Sequence, residues 1–276
     1  MGFLFRLLAH LPLPALHNLG ALLGWLAYLL SPTYRRHLRE NIAQAGVEAA
    51  RGVAIAEAGK TLAELPKLWL RPQDEVMARV VKVSGWELVE AAGIAGRGIL
   101  FLTPHLGCFE ITAQYYAGHK TARQPAGRPI TVLYRRPKQD WLAPLIEQGR
   151  GASLKLAPAD MGGVRKLIRA LKSGEAVGML PDQVPGGGEG TWTPFFGRPA
   201  YTMTLAARLA QTGATVLLAY AERLHYGAGY HLHFLAPTGD VSTPEGINRQ
   251  IEQLILRRPG QYLWGYNRYK GSPEPK

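Results

Sequence analysis

The residue types best suited to chemistry in this chain are a histidine and a glutamate five positions apart, His105 and Glu110. A continuous apolar run over Ile99–Thr103 precedes them and predicts a strand that is buried on both faces. His105 is then expected at the carboxyl end of that strand, the edge where open α/β sheets bind ligands. A histidine oriented there by a carboxylate can take a proton from a hydroxyl as the hydroxyl attacks an electrophile.

The spacing of these residues also permits other interpretations. Residues five apart on a helix point about 140° apart, so Glu110 reaches His105 only if the histidine lies on the turn before the helix. A capping histidine beside a solvated glutamate would produce the same pattern. Cys108 lies between them and offers a thiol nucleophile, although a small buried hydrophobic role is more typical of such a cysteine.

A second pair of polar residues, Asp182 and Gln183, follows another predicted strand over Ala176–Leu180. Carboxyl ends of parallel strands meet at one edge of a sheet, so Asp182 is expected near His105. The carboxylate can orient His105 or an arginine, or it can cap the turn after the strand. The sequence leaves open whether Glu110 or Asp182 pairs with the histidine.

A pair of arginines, Arg135 and Arg136, follows a third predicted strand over Ile130–Tyr134. Guanidinium groups at the sheet edge can bind a phosphate or stabilise a developing oxyanion. A solvated loop is the alternative interpretation of these two residues.

Two further histidines, His231 and His233, alternate on a predicted strand and therefore face the same side. No carboxylate stands close to them in the sequence. We interpret them as surface histidines, and we expect no metal site and no cofactor.

Short apolar runs alternate with helical patterns beyond residue 75, which predicts an α/β fold with a mixed, mostly parallel sheet flanked by helices. The predicted strands cover Arg79–Val83, Ile99–Thr103, Ile130–Tyr134, Ala176–Leu180, Thr215–Ala221 and Tyr230–Leu235. Helices are predicted over Trp86–Gly93, Met161–Lys172, Thr202–Gln211 and Pro244–Arg258, the last of them capped by Thr243.

The most apolar stretch runs from Phe3 to Leu30, with Arg6 as its single fixed charge. A membrane-spanning helix needs roughly 20 apolar residues, and the residues after Leu30 make a poor signal-peptide cleavage site. We therefore expect residues 1–30 to be a retained anchor with a hydrophobic helix, and residues 31–276 to form the α/β domain. A buried helical hairpin is the alternative for the first segment.

The basic residues that follow, Arg35, Arg36 and Arg39, predict that the α/β domain lies on the cytoplasmic side. The whole chain of 276 residues carries a formal net charge of +12, which suggests an anionic partner such as a membrane or an acidic protein. Aromatic and basic residues are mixed near the C-terminus, but without a recognised nucleic-acid module, so we do not expect nucleic-acid binding.

The segment Thr103–Glu110 resembles the His-x4-Glu/Asp motif of the bacterial lipid A biosynthesis acyltransferases, the lauroyl and myristoyl transferases within the glycerolipid acyltransferase-like group. The usual family string is His-Leu-Gly-Asn-Trp-Glu, so Cys108 and Phe109 replace the commoner Asn and Trp. Further segments resemble family motifs in the same order: Tyr134–Lys138, Leu180–Gln183, Thr193–Ala200 and Arg257–Lys270.

This resemblance implies an enzyme that moves a fatty acyl chain from acyl carrier protein, or from coenzyme A, to a hydroxyl of a lipid A precursor or related glycolipid. It implies a location at the cytoplasmic face of the cell inner membrane. Its implied site comprises His105 and Glu110 as catalytic residues, and Arg135, Asp182, Gln183 and Arg198 as substrate-binding residues. Two alternatives remain: an acyl thioesterase that uses the same dyad on water, and a membrane-binding module without catalysis.

Overall fold

The computed structural model describes residues 2–119, 129–134, 137, 141, 143–151 and 154–272. Nine strands are found in this part of the chain, seven in one sheet and two in a hairpin. They are β1 Val80–Ser84, β2 Ile99–Leu102, β3 Ile130–Tyr134, β4 Lys155–Pro158, β5 Ala176–Met179, β6 Gly190–Phe195, β7 Arg198–Met203, β8 Thr215–Arg223 and β9 Tyr230–Leu235.

The helices cover both faces of the sheet and form a separate layer at the N-terminus. They are α1 Gly2–His10, α2 Leu13–Leu30, α3 Pro32–Gln44, α4 Arg51–Leu70, α5 Gln73–Met77, α6 Trp86–Ala95, α7 Phe109–Gly118, α8 Ala143–Gly151, α9 Met161–Lys172, α10 Leu205–Ala210 and α11 Pro244–Arg257.

The large sheet has the strand order β1-β9-β8-β2-β5-β3-β4. Every neighbouring pair is parallel except β8 and β9, which are antiparallel. All residues of β2 and β5 are buried, because these central strands are covered on both faces. The predicted α/β fold with a mixed, mostly parallel sheet is confirmed.

The strands and helices predicted from the sequence lie within two residues of those observed, with one exception. The helix predicted to begin at Thr202 is wrong in its first residues, because β7 continues to Met203 and α10 begins at Leu205. Thr202 pairs with Thr191 across the β6–β7 hairpin, which the sequence analysis did not predict. Cross-strand pairing therefore outweighs the helical pattern at this position.

The apolar helix α2 packs closely against α4 through glycines. A Cβ atom at Gly59 would lie 1.9 Å from the backbone oxygen of Gly20, and one at Gly24 would lie 2.2 Å from the oxygen of Ile55. The same face of α2 buries Leu13 and two further residues of its first turns. By length and composition α2 could cross a membrane, and 28% of that window is buried against the protein.

A buried ionic cluster joins α2, α4 and the end of β8. The guanidinium of Arg223 forms ion pairs with Glu57 and Glu64, and Glu64 also accepts hydrogen bonds from the Tyr230 hydroxyl at 2.9 Å and the His17 ring at 3.3 Å. Burial alone would raise the pKa of Glu64, but the adjacent Arg223 and His17 lower it to about 2. The cluster holds the N-terminal helices to the strand beside β2.

Candidate functional site

The register of β2 and β5 brings His105 and Asp182 together. Leu102 pairs with Met179 in the parallel ladder, and each candidate residue lies three positions beyond its member of that pair. The ladder continues one step further, where the Thr103 amide donates to the Met179 carbonyl at 3.0 Å. Two strands separated widely in sequence thus deliver a histidine and a carboxylate to one point of the sheet edge.

The Asp182 carboxylate accepts two hydrogen bonds from His105, one from Nδ1 at 2.8 Å and one from the backbone amide at 2.9 Å. Burial would raise the pKa of Asp182, but the charge and hydrogen bonds of His105 outweigh it and lower that pKa. The His105 side chain keeps 16% of its surface exposed, whereas that of Asp182 keeps 1%. The histidine therefore faces outward and the carboxylate supports it from inside.

Gln183 lies at the other ring nitrogen of the histidine. Its Nε2 atom is 3.1 Å from Nε2 of His105. Because Nδ1 of His105 donates to Asp182, Nε2 in a neutral ring carries the lone pair and accepts from the Gln183 amide. The nitrogen that would act as a base thus has a polar partner that a substrate hydroxyl can replace.

The turn that carries His105 is fixed by backbone hydrogen bonds to the end of β8 and to the C-terminal segment. Gly107 has a φ of +60°, and a Cβ atom there would lie 2.0 Å from the Ala221 oxygen. Its amide donates to the Gln261 oxygen at 2.9 Å, and the Leu263 amide donates to the His105 oxygen at 3.1 Å. This turn needs glycine both for its conformation and for its close approach to β8.

Tyr262 lies beside the pair, and the sequence analysis did not identify it as part of the site. Burial and then the negative charge of Asp182 hold the pKa of Tyr262 well above its usual range. The residue also forms an isolated bridge with Leu106. The signal available in the sequence was the aromatic C-terminal motif, but that motif gives no indication of which ring reaches Asp182.

Glu110 and Cys108 are both buried at the start of α7. The Glu110 carboxylate accepts a hydrogen bond from Trp69 Nε1 at 3.1 Å, which joins α7 to α4. The sequence did not decide which of the two carboxylates pairs with His105, and the structure describes hydrogen bonds from His105 to Asp182. A catalytic role for Glu110 stays a prediction. Burial raises the pKa of the Cys108 thiol well above its usual range, which disfavours a thiolate nucleophile.

Of the two arginines that were predicted to bind substrate, the structure describes Arg198 but not Arg135. Arg135 and its neighbour Arg136 lie outside the described residues, directly after β3. Arg198 begins β7 in the hairpin, where its guanidinium lies 4.7 Å from the centre of the Tyr269 ring. A substrate-binding role stays a prediction for both Arg135 and Arg198.

An apolar cavity adjoins Phe109, the residue whose ring contacts that of His105. The ring of Phe109, one wall of the cavity, lies 4.7 Å from the His105 ring. Gly178 of β5 leaves room in another wall, since a Cβ there would lie 3.1 Å from Val132 Cγ1. The remaining lining includes Phe101, Tyr116, Ile130, Met179 and Phe234.

The histidines of β9, interpreted from the sequence as surface residues, are half-buried and have a carboxylate neighbour from β8. The β8–β9 register places Glu222 opposite His231, and Glu222 Oε2 lies 3.3 Å from His233 Nε2. Burial, followed by the charge of His231, lowers the pKa of His233 to about 4. The sequence analysis missed this carboxylate because it comes from the neighbouring strand.

The geometry at His105 suits a particular chemistry. A buried carboxylate fixes the imidazole tautomer, Nε2 carries the lone pair beside the Gln183 amide, and an apolar cavity lies next to Phe109, whose ring contacts His105. Such a histidine can remove a proton from a hydroxyl or from water, while the cavity can hold a hydrocarbon chain. The arrangement is suited to an enzyme that transfers an acyl group.

Comparison with known proteins places the chain in a family. Residues 1–271 match the family described as bacterial lipid A biosynthesis acyltransferase. The chain is 28% identical to the lipid A biosynthesis lauroyltransferase of Escherichia coli K12, over 97% of this chain and 89% of that protein. It is also 28% identical to the palmitoleoyltransferase of the same organism, over 95% and 87%. This chain therefore belongs to the bacterial lipid A biosynthesis acyltransferases, and it is an acyltransferase.

Proposed function

We propose that this protein moves a fatty acyl chain from an acyl carrier protein thioester to a hydroxyl of a lipid A precursor, with His105 as the general base. The observation that carries the proposal is the His105–Asp182 pair at the carboxyl edge of β2 and β5. The names of the relatives, one a lauroyltransferase and one a palmitoleoyltransferase, support an acyl donor and a lipid A acceptor.

The proposed reaction begins when the acceptor hydroxyl replaces the Gln183 amide at Nε2 of His105. Nε2 takes the hydroxyl proton as the oxygen attacks the thioester carbonyl carbon. The Asp182 carboxylate stabilises the imidazolium that forms, because it already accepts the Nδ1 proton. Collapse of the tetrahedral intermediate breaks the carbon–sulfur bond, and the imidazolium returns its proton to the departing sulfur.

Two further groups complete this proposal. Arg135 follows β3, which neighbours β5 in the sheet, so its guanidinium is our candidate for stabilising the oxyanion. The cavity beside Phe109 is our candidate for the acyl chain, because it is lined mainly by aromatic and aliphatic side chains. Glu110 retains its proposed contribution to catalysis, as a buried carboxylate in the first turn of α7.

We further propose that the protein contacts the cytoplasmic face of the inner membrane through α1 and α2. The side of these helices that faces away from α4 exposes eight large apolar residues, which we name the apolar face: Phe3, Leu7, Leu22, Leu23, Trp25, Leu26, Leu29 and Leu30. Large apolar residues exposed together in this way are typical of contact with a membrane or a partner. The arginines of α3 that follow it suit anionic headgroups.

The test of this function is an assay with purified protein, acylated carrier protein and a lipid A precursor. We expect a product one acyl chain heavier by mass spectrometry, and we expect membrane lipids of cells lacking the protein to miss that product. Free fatty acid without acylated lipid, with the acceptor present, would favour a thioesterase. If coenzyme A thioesters are used and acylated carrier protein is not, the donor assignment is wrong.

A further inference from the structure

The strands β8 and β9 bring two histidines and a glutamate together on one face of the sheet. Glu222 lies opposite His231 in the antiparallel register, and His233 follows two positions later on the same face of β9. Each of the three side chains offers one ligand atom, and these atoms all lie within 4.8 Å of one another. The cluster uses none of the residues that surround His105.

We propose that Glu222, His231 and His233 bind a divalent transition-metal ion, with zinc as the first choice. Imidazole nitrogens and a carboxylate oxygen are the ligands that zinc accepts besides thiolate, at about 2.0–2.2 Å. Two histidines with one carboxylate leave a fourth position of a tetrahedral site for water. All three residues are half-buried, so an ion can enter from solvent while the side chains stay partly ordered.

The residues around the cluster hold its side chains in place. The His233 ring stacks on Tyr220 with 4.4 Å between centroids and 5° between planes, so its orientation is restricted. The Ser84 hydroxyl lies 2.9 Å from His231 Nε2, and the Arg258 guanidinium donates to Glu222 Oε1 at 2.6 Å. Partners of this kind orient metal ligands in proteins and account for much of the affinity of a site.

Two positively charged side chains near the cluster lower the affinity that it can have for a metal cation. Arg258 neutralises part of the Glu222 charge, and Lys82 on β1 stands in register with His231. Arg258 leaves Glu222 Oε2 directed at His233, where the carboxylate oxygen and the ring nitrogen are 3.3 Å apart. That separation is close to the distance between two ligand atoms on one tetrahedral zinc ion, so the carboxylate can coordinate while Arg258 holds its other oxygen.

The test is a zinc titration of the full chain in detergent, without a polyhistidine tag and after removal of metals by a chelator. Calorimetry should find one zinc ion per chain. His233→Ala and Glu222→Gln should each weaken the affinity by at least ~10-fold, the lower limit for loss of a supporting residue of a metal site. His225→Ala is the matched control, because His225 is exposed and lies outside the cluster.

Cobalt in place of zinc gives a second readout, since its visible absorption reports on coordination by nitrogen and oxygen. The wild-type spectrum should disappear in His233→Ala and persist in His225→Ala. If His233→Ala does not fold by circular dichroism, His231→Asn takes its place in both measurements. Equal affinity in wild type and cluster variants, or no zinc bound by folded wild-type protein, would overturn the proposal.

Discussion

The two side chains at the ring nitrogens of His105 determine which proton the histidine can take. Asp182 accepts from Nδ1, so the proton of the neutral ring is held on that nitrogen and Nε2 remains available as a base. The Gln183 amide donates to Nε2. The residue pair thus selects a tautomer before any substrate arrives, which is the function of the carboxylate in related catalytic arrangements.

We expect His105→Ala to lower acyl transfer by at least about a hundredfold, the usual scale of general-base catalysis. Glu110→Ala should cause a loss of similar size, because we propose that this buried carboxylate contributes to catalysis. Asp182→Asn should lower kcat to a similar extent, because the neutral amide cannot stabilise the imidazolium. Initial rates with acylated carrier protein measure all three effects, and circular dichroism checks that each variant is folded.

The control for these variants is Cys108→Ala, which should keep most of the activity because the buried thiol has no assigned chemical role. Near-normal turnover by folded His105→Ala protein would contradict the proposed base. A folded but inactive Cys108→Ala protein would favour a thiol nucleophile instead.

The cavity beside Phe109 gives a prediction about chain length. A methyl group added by Gly178→Ala would lie 3.1 Å from Val132 Cγ1 and 3.5 Å from Ile130 Cδ1, and would occupy cavity space. We expect kcat/KM to fall about tenfold for the long acyl donor, a typical effect of one methyl group in an apolar pocket. A short acyl donor should be affected much less, and an equal loss for both donors would contradict the assignment of the cavity.

Sequence reasoning found His105, Asp182 and Gln183 but could not decide how they pair. The pairing depends on β2 and β5 being neighbours in register, and the two segments are 77 residues apart at the histidine and the aspartate. The sequence left Glu110 and Asp182 as alternatives, and the structure shows Glu110 accepting a hydrogen bond from Trp69 of α4. Strand order is a property of the whole sheet, and so local patterns do not determine it.

Two of the elements that the sequence analysis did not predict, α4 and the β6–β7 hairpin, have atypical local patterns. Helix α4 buries Glu57, Glu64 and Lys67 on its inner side, so its polar residues do not follow the amphipathic pattern of a surface helix. The β6–β7 hairpin contains prolines at Pro194 and Pro199, which reduce the strand signal although both positions pair across the ladder. Tertiary contacts, which no local window contains, stabilise these elements.

The packing of α2 on α4 predicts opposite effects for two glycine substitutions in one helix. Gly59→Ala should destabilise the protein by about 1–3 kcal/mol, because its methyl group would overlap the backbone of α2. Gly52→Ala meets no atom within 4 Å and should stabilise α4 by up to about 1 kcal/mol. Urea unfolding of both variants measures the difference, and equal free energies of unfolding would show that the close α2–α4 contact is not formed.

If the apolar face contacts the membrane, charges placed on it should release the protein from the membrane. The triple substitution Leu23→Glu, Leu26→Glu and Leu30→Glu places three charges on this face and should move the protein into the soluble fraction. These side chains point away from α4, so the free energy of unfolding should change little. Deletion of residues 1–30 is a less specific test, because it also removes buried Leu16 and His17.

The matched control for the apolar face is a triple glutamate substitution at exposed apolar positions elsewhere, Ile94, Met161 and Leu256. It changes the net charge by the same amount and should leave the protein on membranes. If both triple variants are released equally, general charge repulsion explains the result. If neither is released, the membrane contact lies outside the apolar face.

At the scale of the whole molecule, the basic residues that the structure describes include both buried ones, such as Arg223 and Arg268, and groups exposed to solvent. One exposed group lies on α9, where Arg165, Lys166, Arg169 and Lys172 all face solvent while Leu167 and Leu171 face the core. The spacing of these four residues puts them on one side of the helix, opposite the buried leucines. An acidic carrier protein would be attracted to such a surface, although an ordinary solvated helix face has the same composition.

The double reversal Arg169→Glu and Lys172→Glu should therefore raise KM for acylated carrier protein and leave kcat unchanged, because both residues are exposed on α9 and only the encounter is altered. Arg249→Glu with Arg257→Glu on exposed positions of α11 is the control, since each reversal changes the charge by two units and the total change is equal.

Wild-type kcat/KM should fall as salt rises, since charges about 10 Å apart are largely screened near 0.1 M salt. The single-turnover rate at saturating donor should change much less, because the contacts of His105 are short-range. An unchanged KM in the α9 variant would exclude this helix as the docking surface. Kinetics that do not depend on salt would contradict docking of an acidic carrier protein, and the basic surface would then be assigned to binding of the anionic membrane.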